Sequence, residues 1–388
     1  MNTQSLCPEC YANVPATVFP KEGKVWLSKE CKDHGTFTSL IENDDQYYAS
    51  LKKAQRAENY DQMQLREDYD SVVMVEVTDR CNLECEHCYH IPTKQEDPSI
   101  EAIVSKIASM PLFNLIKNVV LCGAEPTVRK DLPELIEAVR SLGKEVHILT
   151  NGVRLQNKDY VLKLKEAGVA SIEVGLNHES YISKKVHKKQ LDGLQNLRDQ
   201  DVRLEYVSYT LGEMDQLEEV LAEITKLQGT SRMFRVRTPS QIGKQHSSEK
   251  VFISDMLRAV HNIAQKEGKV FRVLSGDNNL YHCMVRYGDC TLRLIHWCDV
   301  HSIDYQELQA GPWAMFTDNT FSNFLHQIIL RDGIKQQKRF NGWSLQKDPV
   351  IQSVYREPSF RSKIAYISST LKDVSGVMKG RFSGDLPF

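Results

Sequence analysis

Thr78-Asp79-Arg80-Cys81-Asn82-Leu83-Glu84-Cys85-Glu86-His87-Cys88-Tyr89 follows directly on the β-branched run 72–77 and sets three cysteines in a C-x3-C-x2-C spacing. A strand that empties into a cysteine loop puts soft ligands at its C-terminal end. Three thiolates this close hold three irons of a [4Fe–4S] cluster, whereas a sealed electron-transfer cluster takes four. The fourth iron is then open for a substrate, the logic that separates catalytic from structural zinc.

Working outward, 72–77 is the first of six strand candidates, the others being 118–122, 145–149, 171–175, 203–207 and 233–236. Amphipathic stretches alternate with them, the pattern of parallel βαβ units. One such stretch carries Met214, Leu217, Val220, Leu221, Ile224 and Leu227 at helical spacing, so one face can cover a sheet. Right-handed crossovers curl such a sheet, and six units predict an open, partial (β/α)6 TIM-like barrel with its chemistry at the C-terminal ends of the strands. Residues 254–267 read as one further helix, and the tail from about 331 shows no trustworthy period.

The second strand ends in Leu121-Cys122-Gly123-Ala124-Glu125-Pro126-Thr127 and the third in Thr150-Asn151-Gly152. Small residues let backbone approach a ligand, and a carboxylate accepts a charge-assisted hydrogen bond from an ammonium group. The fourth strand contains Ile172-Glu173-Val174-Gly175, and the sixth closes on Arg235-Val236-Arg237. An arginine fork there suits a carboxylate or phosphate, with a solvated surface arginine as the alternative.

The three-cysteine loop and the Gly-Ala-Glu-Pro turn one strand later resemble the signatures of the radical S-adenosylmethionine (radical SAM) superfamily. His87 stands where that family often has an aromatic residue, and Ala124 where it has a second glycine. The resemblance implies a [4Fe–4S] cluster on Cys81, Cys85 and Cys88. It also implies S-adenosylmethionine held by Gly123, Ala124, Glu125, Thr150, Asn151, Glu173 and Arg237, and reductive cleavage to a 5′-deoxyadenosyl radical that abstracts hydrogen from a substrate. A flavodoxin or ferredoxin is the implied electron donor.

Two further cysteine groups flank this core. Cys7-x2-Cys10 and Cys31-x2-His34 form a C-x2-C-x20-C-x2-H arrangement, which wraps one tetrahedral ion, zinc or a mononuclear iron. These runs resemble the opening of the superfamily branch that includes tetraether lipid synthase and a pterin C-methyltransferase, which implies carbon–carbon bond formation or methylation. Cys283, Cys290 and Cys298 suggest a second, auxiliary [4Fe–4S] cluster, completed by Cys122, His282, His296, Asp299 or substrate. The bland alternative is that they are small buried residues, since free cysteine packs as a hydrophobe.

The expected division is a metal-binding unit over 1–60, the barrel over 61–245 and a C-terminal domain over 246–388. The net charge of −2, from 49 basic and 51 acidic side chains, gives no field that would gather nucleic acid. The start lacks a signal-peptide pattern and no apolar run approaches the roughly 20 residues of a membrane span, so a cytoplasmic location is expected. Ten cysteines in such a chain read as metal ligands rather than disulfides. Two rival functions remain on the residues alone: a peptide-modifying radical enzyme, and a non-catalytic metal module that binds a partner or nucleic acid.

Overall fold

A computed structural model describes residues 1–10, 12–57, 71–85, 88, 96–109, 113–177, 182–238, 250–274, 280–296 and 302. Four antiparallel strands open the chain in meander order: β1 (Asn2–Leu6), β2 (Asn13–Lys21), β3 (Lys24–Cys31) and β4 (Gly35–Glu42). Their burial alternates along β3, as a sheet with one covered face requires. Helix α1 (Asp45–Ala57) follows, its first turn capped by Asp44, whose carboxylate accepts from the Tyr47 N–H at 2.8 Å.

The larger sheet begins at β5 (Ser71–Thr78) and alternates thereafter: α2 (Ile100–Ala108), β6 (Ile116–Gly123), α3 (Leu132–Arg140), β7 (Glu145–Thr150), α4 (Lys158–Glu166), β8 (Ser171–Asn177), α5 (Lys184–Asp199), β9 (Leu204–Thr210), α6 (Leu217–Lys226) and β10 (Met233–Arg237). Neighbouring strands from β5 to β10 pair in parallel. All six strand expectations and the 214–227 helical face are therefore met. After α7 (Ile253–Lys266) come β11 (Phe271–Val273), β12 (His282–Tyr287) and β13 (Cys290–Ile295). β13 lies parallel to β10, with β12 and β11 antiparallel beyond it. Among the described residues the sheet has nine strands and is open, with β5 and β11 at its edges. The described residues 250–274 and 280–296 of the expected 246–388 domain thus continue the same sheet.

Alternation along each strand gives the sheet two different faces. Val75, Val77, Val119, Leu121, Val146, Ile148, Ile172, Val174, Val207, Val236, Leu292 and Leu294 are each 1% exposed or less and face the helices. Leu217, Val220, Leu221 and Ile224 of α6 meet them at i, i+3, i+4 spacing, each burial being worth about 1.5–3 kcal/mol. The residues between them in register, Glu76, Cys122, His147, Glu173, Ser208, Arg235, Arg237 and Arg293, line the opposite, inner face. That face gathers these charged and polar groups beside an apolar patch of Tyr206, Met233 and Met284, so it offers a ligand both polar and apolar contacts.

The two sheets are clasped together. Ser254 of α7 donates to Glu42 Oε1, Asn43 Nδ2 donates to Asp255 Oδ2 at 3.0 Å, and Arg258 pairs with Asp44 at 2.6 Å.

Candidate functional site

Cys81, Cys85 and Cys88 sit on the loop leaving β5, each of intermediate burial and none in a disulfide. Both ends of that loop are anchored. Thr78 Oγ1 donates to Asp97 Oδ1 at 2.5 Å, Asp97 pairs with Arg80, and the buried Arg129 donates through Nη1 to Val77 O at 2.8 Å and Pro98 O at 2.9 Å. Arg129 is itself fixed by Asp131 at 2.7 Å. One guanidinium therefore joins the chain entering the cysteine loop to the chain leaving it. Sequence reasoning missed Arg80, Asp97 and Arg129, because nothing in their spacing marks them; only the return of residues 96–98 to β5 brings them together.

The turn after β6 docks on this loop through its backbone. Ala124 N–H donates to Thr78 O at 2.9 Å and Glu125 N–H to Arg80 O at 3.0 Å. Gly123 has φ +124°, and a Cβ there would lie 2.4 Å from Thr78 O. No other residue fits that approach. Glu125 is 0% exposed, and burial raises its carboxyl above the usual range. Its Oε1 accepts from Thr127 N–H (3.0 Å), the Thr127 hydroxyl and Thr150 Oγ1 (2.6 Å), while Oε2 accepts from Asn151 N–H at 2.6 Å. The carboxylate expected to grip an ammonium group thus also stitches the end of β6 to the end of β7.

Asn151 closes the ring. Its Nδ2 lies 2.8 Å from Asn82 Oδ1 and 3.8 Å from Cys81 Sγ, and Leu83 N–H donates to the same sulfur at 3.3 Å. Hydrogen bonds to ligand sulfur are among the features that tune an iron–sulfur cluster. Three reachable thiols on one anchored loop, one already solvated by N–H donors, fit a cluster bound through three cysteines. Gln190 of α5 supports the rim from below, donating to Asn151 O at 2.7 Å and Gly175 O at 3.1 Å.

Glu173 and Arg237, also expected at this site, lie further along the inner face on β8 and β10, 3.6 Å from each other. His147 is held between Asn118 Oδ1 (2.9 Å) and Ser171 Oγ (2.7 Å), and burial lowers its basicity.

In the N-terminal sheet, Cys7, Cys10, Cys31 and His34 offer ligand atoms that all lie within 4.8 Å of one another. Cys10 Sγ to Cys31 Sγ is 3.8 Å, and His34 Nδ1 stands 3.7 Å from Cys7 Sγ and 3.4 Å from Cys31 Sγ. A tetrahedral zinc with bonds of about 2.3 Å to sulfur and about 2.0 Å to nitrogen requires separations of roughly 3.8 Å and 3.5 Å. The set fits. The His34 ring and the Asp33 N–H bring the Cys31 thiol down to about 6, so a thiolate is present at neutral pH.

The third cysteine group is corrected. Register places Cys290 opposite Tyr287 and Cys283 opposite Leu294, about 13 Å apart along the hairpin at about 3.3 Å per residue. Both thiols are buried within the core, on the face that meets the helices and not on the inner face. Burial pushes Cys283 up to about 12, against a hydrogen bond with the Tyr47 hydroxyl. Two thiols so placed cannot grip one cluster together. Cys298 and Asp299 lie outside the described residues, as does the basic tail.

Comparison with known proteins agrees with this geometry. Residues 1–43 match a family model described as the HMPTM N-terminal zinc ribbon domain, and residues 75–225 match the radical SAM superfamily model. The chain is 33% identical over 206 residues to Methanocaldococcus jannaschii 7,8-dihydro-6-hydroxymethylpterin dimethyltransferase, covering 46% of this chain and 40% of the relative. It is 35% identical over 120 residues to Methanosarcina barkeri Fe-coproporphyrin III synthase, covering 30% of this chain and 29% of that one. These matches span less than half of each relative's length. Among solved structures, Streptococcus suis SuiB bound to precursor peptide SuiA is similar at 13% identity with a TM-score of 0.42, over 68% of this chain and 71% of that one. No helix among the described residues is long and apolar enough to cross a membrane. The superfamily match runs from the second half of β5 to the end of α6, the stretch that carries the cysteine loop and its docked turn, so it is this stretch of the chain that is similar to the radical SAM superfamily.

Proposed function

We propose that this chain cleaves S-adenosylmethionine reductively and uses the resulting radical to remove hydrogen from an organic substrate, en route to carbon–carbon bond formation or methylation. The observation that carries the reading is the anchored Cys81–Cys85–Cys88 loop, onto which the Gly123-Ala124-Glu125 turn is locked by two backbone hydrogen bonds.

A [4Fe–4S] cluster bound there supplies one low-potential electron for breaking the C5′–S bond of S-adenosylmethionine, which no side chain can supply. The chain's own residues do the rest. The three cysteines hold iron, and Arg129, Asp97 and Arg80 keep their loop in register with β5. Gly123 and Ala124 bring backbone close to the ligand, while Glu125 Oε2 and Asn151 offer an acceptor and a donor for its amino and carboxylate groups. Thr150 orients Glu125, and Glu173 and Arg237 border the site further along the inner face. Burial of Glu125 excludes water from that end, which strengthens each polar contact. A flavodoxin or ferredoxin delivers the electron.

The zinc-ribbon match and the pterin dimethyltransferase similarity favour methylation of a heterocyclic carbon. The test is an anaerobic incubation of the reconstituted protein with dithionite, methyl-labelled S-adenosylmethionine and 7,8-dihydro-6-hydroxymethylpterin. Label appearing on the pterin supports methylation. If 5′-deoxyadenosine accumulates and the pterin stays unmodified, pterin methylation is discarded while the radical reading stands.

A further inference from the structure

Beyond the cysteine loop and its docked turn, the inner face carries a second concentration of charge on β8, β10 and β13. Arg235 on β10 and Arg293 on β13 are direct cross-strand partners, and Arg237 stands two residues beyond Arg235 on the same face. The Arg235 guanidinium stacks on the Tyr206 ring with its centre 3.8 Å from the centroid, and it pairs with Glu173 Oε1. The same oxygen accepts from Ser208 Oγ at 3.1 Å and lies 3.6 Å from Arg237 Nη2. Arg293 is 5% exposed, with Nη2 set 3.8 Å from Met284 Sδ. Among the described residues the Arg235 Nε–H is buried with no acceptor.

Like charges directly opposite one another on neighbouring strands are destabilising, and burying guanidinium groups is costly unless their donors are matched. Stacking on Tyr206 fixes the plane of Arg235 in advance, which lowers the entropy lost when a planar, two-oxygen acceptor docks on it. Guanidinium forks are matched to the oxygens of phosphate and carboxylate. β10 and β13 run parallel with β5 through the sheet, so their C-terminal ends lie at the same end as the cysteine loop.

We propose that Arg235, Arg293 and Arg237 form an oxyanion-binding site for the substrate, which is therefore an anionic molecule carrying a phosphate or carboxylate group. The oxyanion adds to the contacts these arginines already make, accepting from the Arg235 Nε–H and the neighbouring forks. The inference rests on the radical reading above for the identity of the bound molecule as substrate.

The test uses the anaerobically reconstituted full chain, with inorganic phosphate, pyrophosphate and succinate as probes and sodium chloride at matched ionic strength as control. The expected result is a saturable rise in Tm with at least one oxyanion, weakened at least about tenfold in apparent affinity in R293Q and in R235Q. Phosphate or pyrophosphate responding alone names a phosphorylated substrate; succinate responding alone names a carboxylate. In wild type the bound probe should leave S-adenosylmethionine affinity within about twofold. This measurement does not depend on the variants folding. Absence of any saturable response overturns the site, and so does strict competition with S-adenosylmethionine, since the arginines would then serve that molecule's own carboxylate. Formation of 5′-deoxyadenosine by wild type is scored in parallel. Cleavage without oxyanion binding refutes only this inference, whereas oxyanion binding without cleavage refutes the radical reading.

Discussion

Substituting Glu42 by glutamine should remove a pH-dependent weakness from the clasp between the N-terminal sheet and the barrel. Glu42 is 0% exposed at the end of β4. Its Oε1 accepts from Asn43 N–H at 2.6 Å, Asp44 N–H at 3.3 Å and the Ser254 hydroxyl, while Oε2 is buried without a partner among the described residues. Burial raises its carboxyl from 4.5 to about 7, with Asp255 adding repulsion. Because the folded-state value lies above the unfolded one, the native protein holds the extra proton between those limits. The stabilisation is therefore fully present below about 4.5 and is lost as pH rises through about 7. At about 1.36 kcal/mol per pH unit, that gap amounts to roughly 3 kcal/mol. Glutamine keeps the acceptor oxygen and cannot ionise, so any cost of burying its NH2 group is the same at every pH. Asp44, Asp255, Arg258, Tyr47 and Cys283 surround the position in both proteins. Urea unfolding of metal-loaded protein between pH 5 and 8 should show E42Q gaining on wild type by up to roughly 3 kcal/mol across that range and levelling off above it. Parallel stability curves would refute the reasoning.

Other outcomes follow from particular contacts. G123A forces a Cβ to 2.4 Å from Thr78 O at a φ that disfavours side chains, and should cost at least about 1–3 kcal/mol together with iron retention. R129Q should release the cysteine loop from Val77 and Pro98, giving substoichiometric iron after reconstitution while the far-ultraviolet circular dichroism of the folded sheet persists. T150V deletes one donor to the buried Glu125 carboxylate and should lower stability by about 1–3 kcal/mol, measured by denaturant unfolding. Replacing Cys31 by serine should abolish tight zinc binding and expose the N-terminal sheet to protease, because structural zinc supplies folding energy directly.

The βα units were legible because their strands are short β-branched runs buried on the helix-facing side, and their helices carry apolar residues at regular spacing. The cysteine loop and the N-terminal ligand set were legible for a different reason: metal coordination constrains spacing within a few residues, which sequence preserves. The four N-terminal strands escaped notice, since β3 and β4 mix lysine, threonine and glutamate with only a few apolar positions, and their partner is one another rather than a long helix. β11 to β13 were missed as a continuation of the barrel, because joining β13 to β10 is a long-range pairing with no local signature. Cys283 and Cys290 look like ligands by proximity in sequence and prove to be core residues at two ends of a hairpin. Arg129 was invisible among ordinary surface charges; its role depends on residues 77 and 98 meeting in space. Glu125 was found for its chemistry, but its second task of joining β6 to β7 is seen only in the fold.

The most direct test of the central claim is 5′-deoxyadenosine formation by anaerobically reconstituted protein with dithionite and S-adenosylmethionine, compared between wild type and C85A at known iron content. The account predicts 5′-deoxyadenosine from wild type and none from C85A. A wild-type protein carrying its full four-iron cluster that leaves S-adenosylmethionine intact would contradict it.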